Sequence, residues 1–226
     1  DLSRISAAAE ANAAAARAAI AAESEKTTAK DKAAARREEA DADKAVRLAE
    51  AEANRAMIEA ENARDGSLDW QLTRVRLDKP GSKRTSFVEG YCSRQSVAAG
   101  ESIDIFVSAD PPQDVIIEIF RTGYYGGRGA RLMKTLGPFK ASAQPTPAPA
   151  EKRLRECRWK PAVKLTIPDD WRSGVYLGRL TTTSDATGFG YWQSYVVFIV
   201  RDDRPADILL QCSDNTWQAY NEWPEH

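Results

Sequence analysis

Residues 102–108 read Ser-Ile-Asp-Ile-Phe-Val-Ser, and their side chains alternate in character. Ile103, Ile105 and Val107 fall on one face of an extended chain, and the residues between them fall on the other. This alternation predicts a β-strand with one face in a core. Six further segments are rich in β-forming residues and bounded by turn residues: Gln71–Leu77, Ser86–Tyr91, Val115–Arg121, Val163–Ile167, Val175–Thr182 and Tyr191–Arg201.

These seven short strands predict an antiparallel β-sandwich of the immunoglobulin type over residues 66–204. A segment of this length can bury a sufficient core. The run Ala141–Ala150 contains Pro145, Pro147 and Pro149, which predicts an extended loop between two strands. The fold class is therefore α+β, because residues 1–65 have the composition of a helix.

The Ala-rich residues 1–65 are predicted to form one long helix or a helical hairpin. Residues 7–64 contain no Gly, Pro or aromatic residue and are dominated by Ala, Glu, Lys and Arg, which are the best helix formers. Ser6 is a candidate N-cap, and Gly66 is a candidate C-terminal stop. Polar residues between Glu23 and Asp31 lower helix propensity, and a break there would produce the hairpin.

Small residues recur every seven positions along this helix, which is typical of a close-packed helical seam. The positions are Ala7, Ala14, Ala21, Thr28, Ala35, Ala42, Ala49, Ala56 and Ala63. The companion positions are charged in the middle, at Glu25, Lys32 and Glu39, and the large residues Ile20 and Leu48 lie off the ladder. Two interpretations remain open: a helix that mediates homo- or hetero-oligomerisation, and chance recurrence in an Ala-rich segment.

Charge and histidine content exclude several classes of function. The formal net charge of −1 offers no electrostatic basis for binding nucleic acid or an anionic membrane. No apolar run is long enough to span a bilayer. His226 is the only histidine, so a Ser-His-Asp triad, a Cys-His dyad or a His-rich zinc site would have to use that residue. The first residues lack the pattern of a signal peptide, which leaves a cytoplasmic protein and an exported protein with a removed leader both open.

The three cysteines, Cys92, Cys157 and Cys212, are too few and too widely spaced for a disulfide scaffold or a zinc module. A single bridge between Cys92 and Cys157 would be compatible with an exported protein. The alternative interpretation is that all three are small buried apolar side chains.

The character of the chain changes abruptly within residues 207–223. Ile208, Leu209 and Leu210 form a short apolar run that predicts a buried strand. Polar and aromatic residues follow at once, and open α/β sheets build their sites in this way at the carboxyl ends of strands. We therefore expect residues 205–226 to hold the first strand and loop of an α/β domain, without the remainder of that domain.

A glycine-rich loop, Arg-Thr-Gly-Tyr-Tyr-Gly-Gly-Arg-Gly-Ala-Arg, spans residues 121–131 after a predicted strand. Its amides and arginines would suit a phosphate, but no Gly-Lys-Ser/Thr follows and the dinucleotide spacing lacks its third glycine. The favoured interpretation is a tight turn in which glycines adopt positive φ and tyrosines pack.

Several motifs together resemble the large (beta) subunit family of N,N-dimethylformamidase over about residues 70–223. Two of them are Phe-Arg-Thr-Gly-Tyr-Tyr-Gly-Gly-Arg-Gly-Ala-Arg at 120–131 and Asn-Thr-Trp-Gln-Ala-Tyr-Asn at 215–221. The others are Glu89–Val97, Cys157–Trp159, Ile167–Leu177 and Val197–Asp203, in the order of the family. Residues 1–65 lie outside the resemblance.

The resemblance implies an iron-dependent hydrolase of small amides. In that family a β-sandwich leads into an α/β domain like the glutamine amidotransferases, which holds one iron through tyrosine and carboxylate side chains, and a small helical subunit is the partner. Tyr220 is the position that matches a phenolate ligand, and the remaining ligands would lie beyond His226. Asn215, Asn221 and Glu222 are candidates for orienting water or substrate. After Trp223 the chain departs from the Gly-Gly that the family pattern would place there.

The implied chemistry is self-consistent. A hard trivalent metal prefers phenolate and carboxylate oxygens. It can polarise an amide carbonyl and lower the pKa of bound water, so no histidine is needed. Two hypotheses follow: this chain is the N-terminal part of such a hydrolase and is inactive alone, or it is part of a non-catalytic structural or surface protein that assembles through its Ala-rich helix. The alternative interpretation of Tyr220 is a buried tyrosine with a satisfied hydroxyl.

Overall fold

The structure is a computed structural model that describes residues 10–17, 29–183, 190–204, 206 and 208–224. The described chain divides into two compact units, one ending at Met57 and the other beginning at Ile58. Each unit has its own composition: the first is rich in Ala and charge, and the second holds every strand described.

The helical part follows from its composition, since Ala, Glu, Lys and Arg all favour the helix. Residues 10–17 are helical, and helix α1 spans Ala29–Asn62, as the sequence predicts. Arg17 Nη2, in the first of these segments, lies 3.5 Å from Asp43 Oδ1 in α1. The predicted break at residues 23–31 falls largely on residues 18–28, which lie outside the described part. Neither of these helical segments, nor the short helix near residue 214, has the length and apolar character needed to cross a bilayer.

Eight strands form two sheets. The strands are β1 Glu89–Cys92, β2 Ser96–Ala98, β3 Ser102–Ser108, β4 Gln113–Thr122, β5 Ala130–Ala141, β6 Pro161–Thr166, β7 Gly174–Thr182 and β8 Gln193–Arg201. The smaller sheet has the order β1-β3-β6, and the larger has the order β2-β8-β7-β4-β5. All pairings are antiparallel except that of β2 with β8, which is parallel. A short helix, α2, follows at Asp214–Ala219.

One core lies between the two sheets, which makes this part of the chain a β-sandwich. The smaller sheet contributes Ile103, Ile105 and Val107 from the alternating stretch of β3, all buried as predicted. The larger sheet contributes Ile117, Ile119, Tyr176, Leu180, Val196 and Phe198. Phe106, on the opposite face of β3, stacks on Tyr91 with ring centroids 4.5 Å apart. One face of β3 therefore packs in the core, and the other face carries Phe106 in an aromatic contact with Tyr91.

The predicted strand Gln71–Leu77 is wrong, although its segment does lie along the larger sheet. Side chains supply most of its contacts: Gln193 Oε1 accepts from Thr73 N at 2.9 Å, and Thr73 Oγ1 lies 3.0 Å from Tyr191 Oη. One backbone hydrogen bond, from Gln193 N to Arg74 O at 2.8 Å, joins it to β8. Tyr195 donates its hydroxyl hydrogen to Trp70 O. A strand needs a continuous backbone ladder, and this segment exchanges too few backbone hydrogen bonds to form one.

The segment also contacts a buried arginine, because Arg179 Nη1 donates to Gln71 O at 3.3 Å. Arg179 of β7 is 3% exposed and donates to Glu118 Oε2 at 2.6 Å and to Asp69 Oδ1 at 3.0 Å. Its guanidinium lies 5.2 Å from the centroid of the Phe120 ring. Burial opposes the charge, but the hydrogen bonds from Arg179 to Asp69 and Glu118 outweigh it and raise the pKa of Arg179. The Arg179 guanidinium is thus buried with two carboxylate partners, Asp69 and Glu118.

Strands β2 and β5 were not predicted. β5 is the outer strand of the larger sheet, and only Ala130 and Ala141 at its ends are fully buried. Its sequence mixes Lys, Thr, Gly and Pro with scattered apolar residues, because an edge strand has one side open to solvent. β2 has three residues, too few for a periodicity to show. The extended loop predicted after β5 is present, without regular structure over residues 142–150.

The predicted buried strand Ile208–Leu210 is wrong for the described chain. Ile208, Leu209 and Leu210 are 84%, 91% and 80% exposed, and they belong to no strand. A strand forms only when a neighbour satisfies its backbone groups, and the described residues provide no neighbour here. The polar and aromatic stretch that follows forms α2 instead of an open loop.

Candidate functional site

Tyr220 terminates helix α2, where its backbone N–H caps the last turn through Thr216 O and Gln218 O. Its side chain is 82% exposed. The sequence offered a buried tyrosine with a satisfied hydroxyl as the ordinary alternative, and the structure excludes that alternative. The phenol therefore lies at the surface, on the short segment that carries the Asn-Thr-Trp-Gln-Ala-Tyr-Asn motif.

The residues just after Tyr220 fasten this segment to the sandwich. Trp223 Nε1 donates to Glu89 Oε2 at 2.8 Å, and Glu89 in turn accepts from Arg84 at 2.7 Å and 3.2 Å. The guanidinium of Arg84 lies 5.2 Å from the centroid of the Trp223 ring, and the ring edge meets Trp159 at 6.0 Å between centroids. A charge-assisted hydrogen bond and two ring contacts thus anchor the chain three residues beyond Tyr220.

The three candidates for orienting water or substrate have different environments. Glu222 forms an ion pair with Lys83. Asn221 uses its side-chain oxygen to accept from Trp223 N at 3.0 Å. Asn215 lies in α2. The structure therefore places these residues on one short segment, but two of them already serve to hold that segment in place.

The described part of the chain contains no group of three His, Cys, Asp or Glu side chains that could hold a metal ion. Near Tyr220, the carboxylate of Glu222 is paired with Lys83. A metal held by oxygen donors needs several of them. Tyr220 is thus one exposed candidate ligand, and the described residues do not by themselves fit an iron.

All three cysteines are free, so the Cys92–Cys157 bridge is absent. Burial raises the pKa of the Cys92 thiol to about 12. Burial, with the nearby charge of Glu89, also raises the pKa of Cys157. Both thiols therefore stay protonated at neutral pH, which suits small packing side chains better than nucleophiles.

The glycine loop joins β4 to β5 as a hairpin turn, as the favoured interpretation predicts. Gly126, Gly127 and Gly129 have φ values of 65°, 86° and 90°, a region that favours glycine. Tyr125 also has a positive φ, of 40°, although it carries a large side chain that is 1% exposed. A non-glycine residue in this conformation costs on the order of 1–3 kcal/mol, so the surrounding contacts must hold it there.

Those contacts come from a carboxylate that the sequence did not single out. Glu61, in the last turn of α1, is 4% exposed. Its Oε1 accepts from Tyr125 Oη at 2.8 Å and from Arg131 Nε at 2.9 Å, and it lies 2.7 Å from Arg131 Nη2. Arg121 Nη1 donates to Tyr125 Oη at 2.8 Å and so extends the chain of hydrogen bonds.

The neighbouring charges decide the protonation state of this cluster. Burial alone would raise the pKa of Glu61, but the hydrogen bonds from Tyr125 and Arg131 and the charges of Arg131 and Arg121 outweigh it and lower the pKa. Burial raises the pKa of Tyr125. Glu61 is thus a carboxylate and Tyr125 a neutral donor at neutral pH, which is the combination that the hydrogen bonds require.

Sequence reasoning missed Glu61 because a glutamate in an Ala-rich helix looks like a solvated residue. One signal was present: the glycine loop carries three arginines with no acidic residue among them, and buried guanidinium groups need an anion. Asn62 accompanies Glu61, since its Oδ1 accepts from Tyr124 N at 3.0 Å.

One protein-family model matches both the later strands of the sandwich and the Tyr220 segment. Residues 116–226 match the family model described as N,N-dimethylformamidase beta subunit-like, C-terminal. This part of the chain is similar to the N,N-dimethylformamidase beta subunit-like family. The match begins inside β4 and includes the glycine loop, α2 and Tyr220. The resemblance inferred from the motifs is therefore confirmed, and Glu61 lies outside the matched residues.

Comparison with curated proteins found no match. Among solved structures, a copper-bound, cellulose-active LPMO, CelS2, is 16% identical, with a TM-score of 0.29 over 48% of this chain. This chain covers 53% of CelS2, about half of its length. Superoxide reductase (neelaredoxin) from Ignicoccus hospitalis is 15% identical, with a TM-score of 0.27 over 50% of this chain and 79% of its own. Domain 1 of VCBP3 from Branchiostoma floridae is 18% identical, with a TM-score of 0.27 over 54% of this chain and 100% of its own. At these scores the similarities carry no argument about function.

Proposed function

We propose that this chain is the N-terminal part of a dimethylformamidase-like amide hydrolase that depends on iron. It supplies the β-sandwich and one metal ligand, Tyr220. The observation that carries the proposal is the family match over residues 116–226, which includes the Asn-Thr-Trp-Gln-Ala-Tyr-Asn segment. Its substrate class is small amides, cleaved at the C–N bond. The sandwich is of the immunoglobulin type, and residues 205–226 open an α/β domain like the glutamine amidotransferases.

The surroundings of Tyr220 support this role. Its phenol is exposed, so a partner surface can reach it, while the anchor at Trp223 limits how far the segment can move. The apolar side chains of Ile208, Leu209 and Leu210 are exposed a few residues earlier. Exposed apolar side chains of this kind are typical of a surface that another part of a protein covers. The remaining ligands would come from residues outside this sequence.

The chain's own residues have defined tasks in this proposal. When bound, iron would polarise the amide carbonyl and acidify a water molecule. The Glu222–Lys83 ion pair and the Asn221–Trp223 hydrogen bond orient the segment just after Tyr220. Asn215 and Asn221 carry amide groups that can hydrogen-bond a small amide substrate. The segment alone is expected to be inactive.

The test is metal analysis and amide hydrolysis by the complete protein that contains this chain. The Tyr220→Phe variant is expected to lose bound iron and hydrolysis of N,N-dimethylformamide together. Tyr124→Phe is the matched control, because Tyr124 is also exposed, at 71%, but lies in the glycine loop. Full iron occupancy in Tyr220→Phe would remove Tyr220 from the metal site.

The alternative is a non-catalytic assembly protein built on the same sandwich. One observation favours it: residues 36–53 of α1 are all exposed, so a long helical surface is open to a partner. In that case the complete protein binds no iron, hydrolyses no amide, and changes its oligomeric size when residues 7–64 are deleted. Iron content with amide hydrolysis in the complete protein would exclude this alternative.

A further inference from the structure

The hydrogen bonds around Glu61 converge on a single oxygen. Tyr125 Oη, Arg131 Nε and Arg131 Nη2 all contact Oε1, at 2.8, 2.9 and 2.7 Å. The other oxygen, Oε2, lies 3.4 Å from Arg64, whose side chain is 59% exposed. An ordinary Arg–carboxylate pair uses both oxygens side by side. Three donors aimed at one oxygen are instead the arrangement of an oxyanion site.

The donors and the carboxylate come from different parts of the chain. Arg121, Tyr125 and Arg131 all lie within the family-matched residues, on β4, the glycine loop and β5. Glu61 lies in the last turn of α1, outside that match. Arg121 is also held independently of the carboxylate, because its Nη2 donates to Ser173 O at 2.8 Å. The sandwich thus carries the donor set, and the helix end carries the acceptor.

Two features have a cost that a simple stabilising ion pair would avoid. Tyr125 is held at a φ of 40°, a conformation that side-chain-bearing residues rarely adopt. Arg121 Nε is buried without a hydrogen-bond partner in the described part of the chain. Strained backbone and unsatisfied buried donors concentrate at binding sites, where positioning of a ligand outweighs local stability.

We propose that Arg121, Tyr125 and Arg131 form a carboxylate-binding site on the glycine loop, and that Glu61 is its built-in ligand. Tyr125 and Arg131 bind the carboxylate directly, and Arg121 positions the Tyr125 hydroxyl. Beside the site, Tyr124 N binds the side-chain oxygen of Asn62, so the loop recognises a Glu-Asn pair at the end of a helix. This site is separate from Tyr220, and the inference does not depend on the proposed hydrolase activity.

The test replaces the tethered carboxylate by a free one. In the full chain, Glu61→Ala removes the ligand and leaves the donors, so formate or acetate should bind in its place. We expect the midpoint of thermal unfolding of Glu61→Ala to rise by about 3 °C in roughly 100 mM acetate, compared with chloride of equal ionic strength, as for a ligand present at about ten times its Kd. The wild-type chain should show no comparable rise, because Glu61 fills the site.

Two controls separate site binding from a general effect of carboxylate salts. The double variant Glu61→Ala/Arg131→Gln should lose the rise, and Glu61→Gln, whose amide oxygen still fills the site, should show little of it. A rise of equal size in the wild type or in the double variant would overturn the proposal, as would no rise in Glu61→Ala. If Glu61→Ala does not fold in chloride, recovery of folding in acetate supports the proposal, and failure to recover counts against it.

Discussion

The indole N–H of Trp223 donates a 2.8 Å hydrogen bond to the carboxylate of Glu89, 134 residues earlier in the chain. Glu89 begins β1, and Trp223 follows the helix that carries Tyr220. This contact makes the position of the Tyr220 segment depend on the smaller sheet of the sandwich.

Trp223→Phe should loosen that segment without unfolding the sandwich. The substitution keeps a ring but removes the donor to a charged carboxylate, which costs about 1–2 kcal/mol. Hydrogen exchange of residues 214–223 should become faster, while exchange in β4 and β7 stays slow. Trp217→Phe is the matched control, since Trp217 is 52% exposed, and it should leave the exchange pattern unchanged. Equal exchange in the wild type and Trp223→Phe would show that the anchor lies elsewhere.

Arg179→Met should destabilise the sandwich strongly. The variant keeps the length of the side chain but leaves Glu118 without its partner. Breaking a buried ion pair by removing one member costs about 3–5 kcal/mol, which denaturant unfolding would detect. Arg158→Met is the control: Arg158 also pairs with a glutamate, Glu156, but its side chain is 83% exposed. The control should change the unfolding free energy by less than about 1 kcal/mol, and equal losses in both variants would contradict the burial argument.

Gly178→Ala should destabilise the core, and a smaller residue at position 196 should repair the damage. A Cβ at Gly178 would lie 2.6 Å from Val196 Cγ2, so overpacking is expected to cost about 1–3 kcal/mol. The double variant Gly178→Ala/Val196→Ala should be more stable than the two single effects added together. Gly90→Ala provides the contrast, because its Cβ would meet the backbone oxygen of Phe106 at 2.6 Å. Val196→Ala should not rescue that variant to the same degree.

The stability of the chain should fall in acid partly through Glu61. The pKa of Glu61 is lowered in the folded state, so its contribution is present above the ordinary glutamate pKa of about 4.3. It is lost as the pH falls through the lowered value. As the pH falls below about 4.3, the unfolding free energy of the wild type should therefore fall more steeply than that of Glu61→Gln. Parallel curves over this range would show that Glu61 is not paired as the structure has it.

Strands were predicted correctly where the sequence shows a clear alternation of side chains between two faces. β3 was predicted at its observed bounds because Ile103, Ile105 and Val107 share one face of the strand and pack in one core. β5 was missed because an edge strand shows no such alternation. Residues 71–77 have strand-like composition, yet side chains such as that of Gln193 supply their partners. Side-chain pairing of this kind leaves no periodic trace in a sequence.

The two candidate sites also differ in how much of each the sequence reveals. Tyr220 could be singled out as a candidate from the sequence because it lies in a long motif. The structure adds that its side chain is exposed and that Trp223 anchors the segment that follows it. Glu61 was not accessible, since only the fold brings it to Arg131, 70 residues later. A glutamate that is buried on an otherwise polar helix can be identified from sequence only if the cationic residues that pair with it are also identified.

The position of Glu61 has a practical consequence for dividing this protein into pieces. A truncation that begins at residue 116, where the family match starts, would remove the first three strands together with the anion of the glycine loop. A truncation at residue 66, where the sandwich composition begins, would still remove Glu61. Arg131 and Tyr125 would then lose the carboxylate to which they donate hydrogen bonds. A fragment that begins at Ile58, where the second compact unit starts inside the helix, keeps Glu61 as the counter-charge of Arg131.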